Sequence, residues 1–230
     1  MTRFQGQSNA YDIPNNVIYM GDLLFSWDIG DPITVFTLGG TTVPTLAVDG
    51  RIKLYEATNA NDQPSWCYIT IPNTKGRAAL IFHAIISKQA DDTSTDNISF
   101  ALQIGPNPGA PGIPIGMTYW VDGSVPRSNL LWRNLAAAGT TLNIVFNPTA
   151  GVEYAVDLLM TDKEIIVLVN NVKLTSILIN TLGNATLSAH PLKDWFTADK
   201  QILLWVRHDA GQVSHYRVRD IRVSRLVGQS

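Results

Sequence analysis

The chain has 230 residues, of which 45% are apolar and only 16% charged, with a formal net charge of −2. An average domain is about 25% charged, and a disordered chain needs more charge and less apolar content than this, so disorder is excluded and a packed core is expected. The single cysteine, Cys67, excludes an intrachain disulfide framework and a multi-cysteine zinc site, and the near-neutral charge argues against capture of nucleic acid. Strong helix formers are scarce. Three glutamates and seven lysines stand against 20 threonines, 16 asparagines and 13 serines, a balance that points to an all-β chain.

In chain order, Met1 to Asn16 is polar, ends in Pro14-Asn15-Asn16, and is expected to be an N-terminal arm ahead of a single domain over residues 17–230. Its first ten residues lack the apolar core of a Sec-type signal, and no run approaches the ~18 apolar residues of a membrane span. Leu46 and Val48, then Asp49-Gly50, then Ile52 and Leu54 predict a hairpin with a two-residue type I′ turn. Trp66–Ile71 and Ala79–Ile86 read as strands with apolar groups on both faces, and Ile98–Ile104 as a strand with one drier face. Gly105 to Gly116 holds four prolines and reads as a loop. Ser128–Ala138 and Pro191–Ala198 are the two places where a short helix is expected. Leu142, Ile144 and Phe146 alternate again and stop at Asn147-Pro148.

Val152 to Leu174 predicts a three-stranded meander, turning at Thr161–Glu164 and at Asn170-Asn171, because only tight turns fit such short connections. Two more strands lie within Ile202–Leu226. In the last, Tyr216 and Val218 share one parity but Ile221 and Val223 have the other, which predicts a β-bulge near Arg219-Asp220. Some ten to fourteen strands at this spacing suggest two packed antiparallel sheets with long loops and little helix.

The run Gly151-Val-Glu-Tyr-Ala-Val-Asp-Leu followed by Ile165-Ile-Val-Leu-Val-Asn-Asn-Val resembles the hairpin of concanavalin A-like and laminin G-like jelly rolls. Tyr216-Arg-Val-Arg-Asp-Ile-Arg-Val-Ser224 resembles the closing strand of the same fold. The likeness covers about the last 80 residues and implies a jelly-roll sandwich of a kind that frequently binds carbohydrate. The Asn/Thr/Gly-rich, signal-free composition is similar to that of tailed-bacteriophage virion proteins, which implies synthesis in a bacterial cytoplasm and residence in a virion.

Catalytic chemistry finds no motif. Laminarinase-like relatives of the fold carry Glu-x-Asp-x-x-Glu on one strand, a run absent here; Glu153 and Asp157 share a strand face but read as solvated polar residues. There is no Gly-x-Ser-x-Gly elbow, phosphate loop or Rossmann fingerprint; Cys67 sits mid-strand as a buried inert thiol, and His83 lies inside an apolar strand as a satisfied core or edge histidine. His208, Asp209 and His215 offer three metal ligands where a structural site needs four, and Asp92–Asn97 lacks the later ligands of a calcium loop. No catalytic residue, metal or cofactor is therefore expected.

Two sets of binding candidates remain. Tyr119 and Trp120 follow the proline loop and Trp132 and Trp195 fall in poorly patterned segments, where large aromatic groups are costly unless covered; they could stack on sugar rings, cap the core or pack at a subunit contact. Arg217, Arg219, Arg222 and Arg225 crowd the last strand, as a solvated face, a protein contact or, least, a nucleic-acid site; if that strand is an edge, it invites a partner. The leading expectation is a non-enzymatic structural or attachment component of a phage-like virion, with other virion proteins as partners and self-association as a trimer. A lectin module for bacterial surface polysaccharide is the alternative, and a glycoside hydrolase the third.

Overall fold

In the computed structural model of the chain, residues 10–13, 17–57, 63–71, 79–93, 98–104, 116–122, 127–133, 139–144, 146–160, 164–178, 200–208 and 211–228 are described. Strands β1 (Ala10–Ile13), β2 (Val17–Trp27), β3 (Thr37–Gly40), β4 (Thr45–Leu46), β5 (Ile52–Glu56), β6 (Gln63–Ile71), β7 (Ala79–Lys88) and β8 (Ile98–Ile104) come first. They are followed by β9 (Gly116–Asp122), β10 (Arg127–Arg133), β11 (Gly139–Ile144), β12 (Glu153–Met160), β13 (Glu164–Val169), β14 (Val172–Leu178), β15 (Lys200–His208) and β16 (Ser214–Gly228). The helical element among the described residues is one 3-10 turn, Ile33–Val35.

The strands form two antiparallel sheets. One runs β1-β2-β16-β7-β12-β13-β14, with β5 also paired to β16 and β4 to β5; the other runs β11-β10-β9-β8-β15-β6-β3. Their inward faces meet in a single apolar layer. Ile52, Leu54, Phe82, Ile86, Val156, Leu158, Tyr216 and Val218 come from the first sheet, and Cys67, Ile69, Ile202, Leu204 and Val206 from the second. The alternating in-out pattern of each strand is what lets both sheets dry one face, so the expected two-sheet sandwich is what forms.

Several details differ from expectation. Ser128–Ala138 begins as strand β10, paired residue by residue with β9 and β11, not as a helix. Its apolar groups suit either period, and the two ladders on its flanks decide the matter. The hairpin at Asp49-Gly50 has a three-residue loop: Ala47 N–H donates to Arg51 O and Gly50 N–H to Ala47 O. There only Gly50 takes a positive φ, of 80°, where a type I′ turn would require it of Asp49 as well. The N-terminal segment is strand from Ala10 to Ile13, paired to β2. Loop 105–115 and the second expected helix, 191–198, lie outside the described residues.

Other features match. Asn170 and Asn171, at φ 51° and 63°, make the tight type I′ link between β13 and β14. The bulge in β16 is present. Arg219 stands opposite Ile85 and Arg222 opposite His83, so one extra residue is absorbed, and Asp220 takes φ 52°. The arginine-bearing strand is not an edge, however. β16 is flanked by β7 on one side and by β5 and β2 on the other, because its two halves each find a separate partner strand.

Candidate functional site

The alternation that buries one parity of β6 and β15 forces the other parity onto the outward face of the second sheet. Trp66 stands opposite Trp205, Tyr68 opposite Leu203, and Thr70 opposite Gln201. The same three rows continue into β8 at Ser99, Ala101 and Gln103. An outward sandwich face is ordinarily polar. Here it is aromatic.

Leu203 and Trp205 are 5% and 7% exposed and form a small apolar cluster of their own, against which the half-buried Trp66 and Tyr68 pack. The Trp66 and Tyr68 rings lie 5.7 Å apart, tilted by 33°. Gly39 of β3 is paired to Trp66, and a Cβ at that position would collide with the indole ring. The glycine thus leaves the slot in which the indole lies. Gly39→Ala is expected to push the ring out, altering the near-ultraviolet circular dichroism and costing about 1–3 kcal/mol of stability. An unchanged spectrum would show that the slot does not hold the ring.

Neither Trp66 nor Trp205 stood out in the sequence. The available signal was that aromatics occupy one parity of Trp66–Ile71 while Cys67, Ile69 and Ile71 occupy the other, more than a single buried face needs. Of the aromatics that did stand out, Trp120 lies in β9 opposite Ser99, in the register row of Trp205 and Trp66. Tyr119 is opposite Phe100, and Trp132 opposite Met117, both in rows of core-facing parity. These three sit in strands, not loops, because the β8–β11 ladders override weak local patterns. Trp195 lies outside the described residues.

The outward face of the first sheet is ionic. Arg217 donates to Asp49 at 2.7 Å, and Arg219 forks onto both oxygens of Glu153 at 3.1 and 2.7 Å, while Arg51 reaches the same carboxylate at 2.8 Å. The Arg219 hydrogen bond holds the Glu153 carboxyl below its ordinary range. Burial pushes Asp49 up, but the Arg51 N–H and the Arg217 guanidinium outweigh it and hold that carboxyl low as well. Arg222 bonds Asp220 at 2.9 Å, and Arg225 is also partnered. The four arginines are thus gathered on one strand, where Arg217, Arg219 and Arg222 each face a carboxylate. At this exposure each pair contributes at most about 1 kcal/mol.

Asp157 is equally committed. Its carboxylate meets His83 Nδ1 at 2.7 Å, and His83 Nε2 lies 3.7 Å from Asp220. Burial pushes the Cys67 thiol far above its ordinary range, as an inert core thiol requires. Asp92 accepts the His215 backbone N–H at 2.7 Å and lies 3.5 Å from Lys88, while Asp96 and Asn97 lie outside the described residues. So does Asp209. Among the described residues no three histidine, cysteine or acidic side chains are arranged to hold a metal ion.

His215 is buried, with Nδ1 at 2.7 Å from Asp91 and its ring edge-on to Tyr55 at 5.2 Å. Burial lowers its pKa from 6.5, against the opposing pull of Asp91. The unfolded chain then binds a proton that the folded chain refuses, so this group makes stability fall as pH drops below about 6.5. Denaturant midpoints taken from about pH 7.5 to about pH 5.5 should fall in the parent and fall less in His215→Gln. Equal slopes in the two proteins would remove His215 from this role.

No protein-family model matches the chain, and no curated protein matches it in sequence. Solved structures match its fold. The potassium-bound carbohydrate recognition domain of Emp46p superposes with a TM-score of 0.63 at 10% identity, over 87% of this chain and 95% of that one. Peanut lectin with a nine-residue peptide gives 0.61 at 12% identity, over 89% and 98%. A glycoside hydrolase family 16 endo-glucanase from Bacteroides ovatus gives 0.56 at 12%, over 87% and 99%. The fold is that of the concanavalin A-like lectin sandwiches.

Proposed function

We propose that the chain is a non-catalytic, lectin-like carbohydrate-binding module whose binding surface is the aromatic outward face of the second sheet. The observation that carries this reading is the pair Trp66 and Tyr68, half-buried on β6 and packed against the buried Leu203 and Trp205 of the neighbouring strand. Sugar rings present apolar C–H faces to such rings and hydroxyls to the polar groups beside them. The fold supports the reading, since similar structures include a carbohydrate recognition domain and a lectin.

Hydrolysis is disfavoured by the distribution of acids. A glycosidase needs two carboxyl groups within about 5–9.5 Å of each other. The seven strands of the aromatic sheet contain a single acidic residue, Asp122. Glu153 and Asp157 belong to the other sheet and are held by arginine and histidine. The setting is proposed from composition: an Asn/Thr/Gly-rich sandwich suits an attachment component of a phage-like particle that meets bacterial surface polysaccharide.

An array of bacterial surface glycans probed with the purified chain tests the function. Saturable binding is expected, weakened at least about tenfold by Trp66→Ala, equivalent to about 1.4 kcal/mol. A folded protein that binds no glycan would refute carbohydrate recognition. Polysaccharide turnover abolished by Glu153→Gln or Asp157→Asn would refute the non-catalytic assignment.

A further inference from the structure

One side of the sandwich is uncharged and apolar. After β2 the chain runs through the 3-10 turn, β3 and β4 to Gly50. Among the described strands β3 ends the second sheet, and β4 stands outside β5 on the flank of the first. Both sheet margins on this side are therefore built from one continuous stretch, residues 28–50. Its two ends meet, because Ile29 lies against Gly50, where an added Cβ would come within 2.9 Å of the isoleucine side chain.

Residues 32–48 include no charged side chain. Of the eight large apolar side chains exposed among the described residues, five belong to this stretch: Ile29, Val35, Val43, Leu46 and Val48, each at least 42% exposed. Exposed apolar groups are ordinarily scattered singly; here they are gathered on one side. Strands at a sheet margin are ordinarily blunted by charge, since their backbone invites a partner. At the opposite margin of the first sheet, β14 carries the exposed Lys173, whereas β3 and β4 carry no charge.

We propose that residues 28–50 form an interface at which two copies of the chain pair about a two-fold axis. A second copy fits for three reasons. A strand margin set antiparallel to its own copy makes an isologous contact, in which the same residues serve both partners. Over residues 32–48 neither copy brings a charge that must lose water unpaired, a cost that a charged partner would meet here. The stretch has 23 residues, within the about 20–30 that a standard interface takes from each side. The acidic groups at its ends are held locally, Asp49 by Arg217 and Asp31 by the Asp28 N–H. Because β3 pairs with β6, the contact borders the strand that carries Trp66 and Tyr68 in each copy.

Sedimentation of the full chain over a dilution series, at low and high salt, tests the pairing. A dimer of about 50 kDa, twice the 25.2 kDa of one chain, should form and persist at high salt, because no ion pair holds it. Val43→Lys and Val48→Lys, at exposed positions, should keep the parental circular dichroism. Each should raise the dissociation constant at least about tenfold, since the ammonium would be set against an uncharged surface. Val172→Lys, also exposed but on β14 at the far margin, should leave the constant unchanged. A chain that is monomeric or trimeric throughout would overturn the two-fold pairing. A dimer that high salt dissociates would move the contact to the ionic face of the first sheet and overturn this one. A dimer weakened by Val172→Lys, and by neither of the other variants, would overturn its placement.

Discussion

Deleting Arg222 should leave the chain unable to fold cooperatively, whereas deleting Asp220, two positions earlier, should leave a folded sandwich. Tyr216 and Val218 before the bulge, and Ile221 and Val223 after it, are each fully buried. Asp220 is the extra residue that carries the inward parity across from one half of β16 to the other. Without it, positions 216 to 223 alternate in a regular way and every apolar residue still faces inward; what is lost is a positive-φ residue, its ion pair with Arg222 and its approach to His83 on the outward side of the sheet. Without Arg222, the same regular alternation turns Asp220 into the core and Ile221 out to solvent. An unpaired buried carboxylate costs about 3–5 kcal/mol, and exposing Ile221 about 2 more. That sum is comparable to the whole stability of a marginal domain. Urea unfolding of the two deletions measures this contrast. A cooperative transition in the Arg222 deletion, near the parental midpoint, would show that parity in β16 does not govern the fold.

Trp27→Ala is expected to cost about 3–5 kcal/mol, with Trp27→Phe costing far less. Trp27 is the last residue of β2, 1% exposed, and is among the largest fully buried side chains. Its ring packs edge-on against Phe36, with centroids 5.9 Å apart, and Phe36 in turn meets Phe25 at 5.6 Å. The indole N–H donates to Pro32 O at 3.3 Å, which ties the connection after β2 back onto the core. Phenylalanine keeps most of the apolar volume and gives up that hydrogen bond, worth about 1 kcal/mol. Alanine leaves a cavity that two neighbouring rings cannot fill. Chemical denaturation of both variants gives the two values. A difference from the parent below about 1 kcal/mol for Trp27→Ala would mean that the site collapses without cost.

Much of the architecture was legible from residues because a sandwich strand repeats every two positions. Alternation at Val152–Leu158 and at Tyr216–Val223 announces which residues face inward, and a break in parity announces a bulge even before its partner strand is known. Asn170-Asn171 was legible for a local reason too, since asparagine tolerates the left-handed conformation that a two-residue hairpin turn demands. The hairpin at Asp49-Gly50 was less so. Its glycine sets one positive φ, but loop length depends on where the flanking ladder closes, which is a property of two strands together.

What the sequence by itself determined is therefore the class of the fold, the inward face of most strands, the inertness of Cys67, and the gathering of four arginines on one strand. Only the tertiary structure decided where those strands stand. That β16 is central and flanked on both sides, that Ser128–Arg133 is strand and not helix, and that Trp66, Tyr68 and Trp205 share an outward face all depend on pairings with other strands, from the adjoining hairpin partner β9 to strands more than a hundred residues away. The reason is physical. A side chain's parity is written in its own strand, but whether that parity meets a second sheet or open solvent is fixed by non-local hydrogen-bonded neighbours. For a strand that is apolar on both faces, such as Trp66–Ile71, no local pattern distinguishes the core-facing side from the outward side.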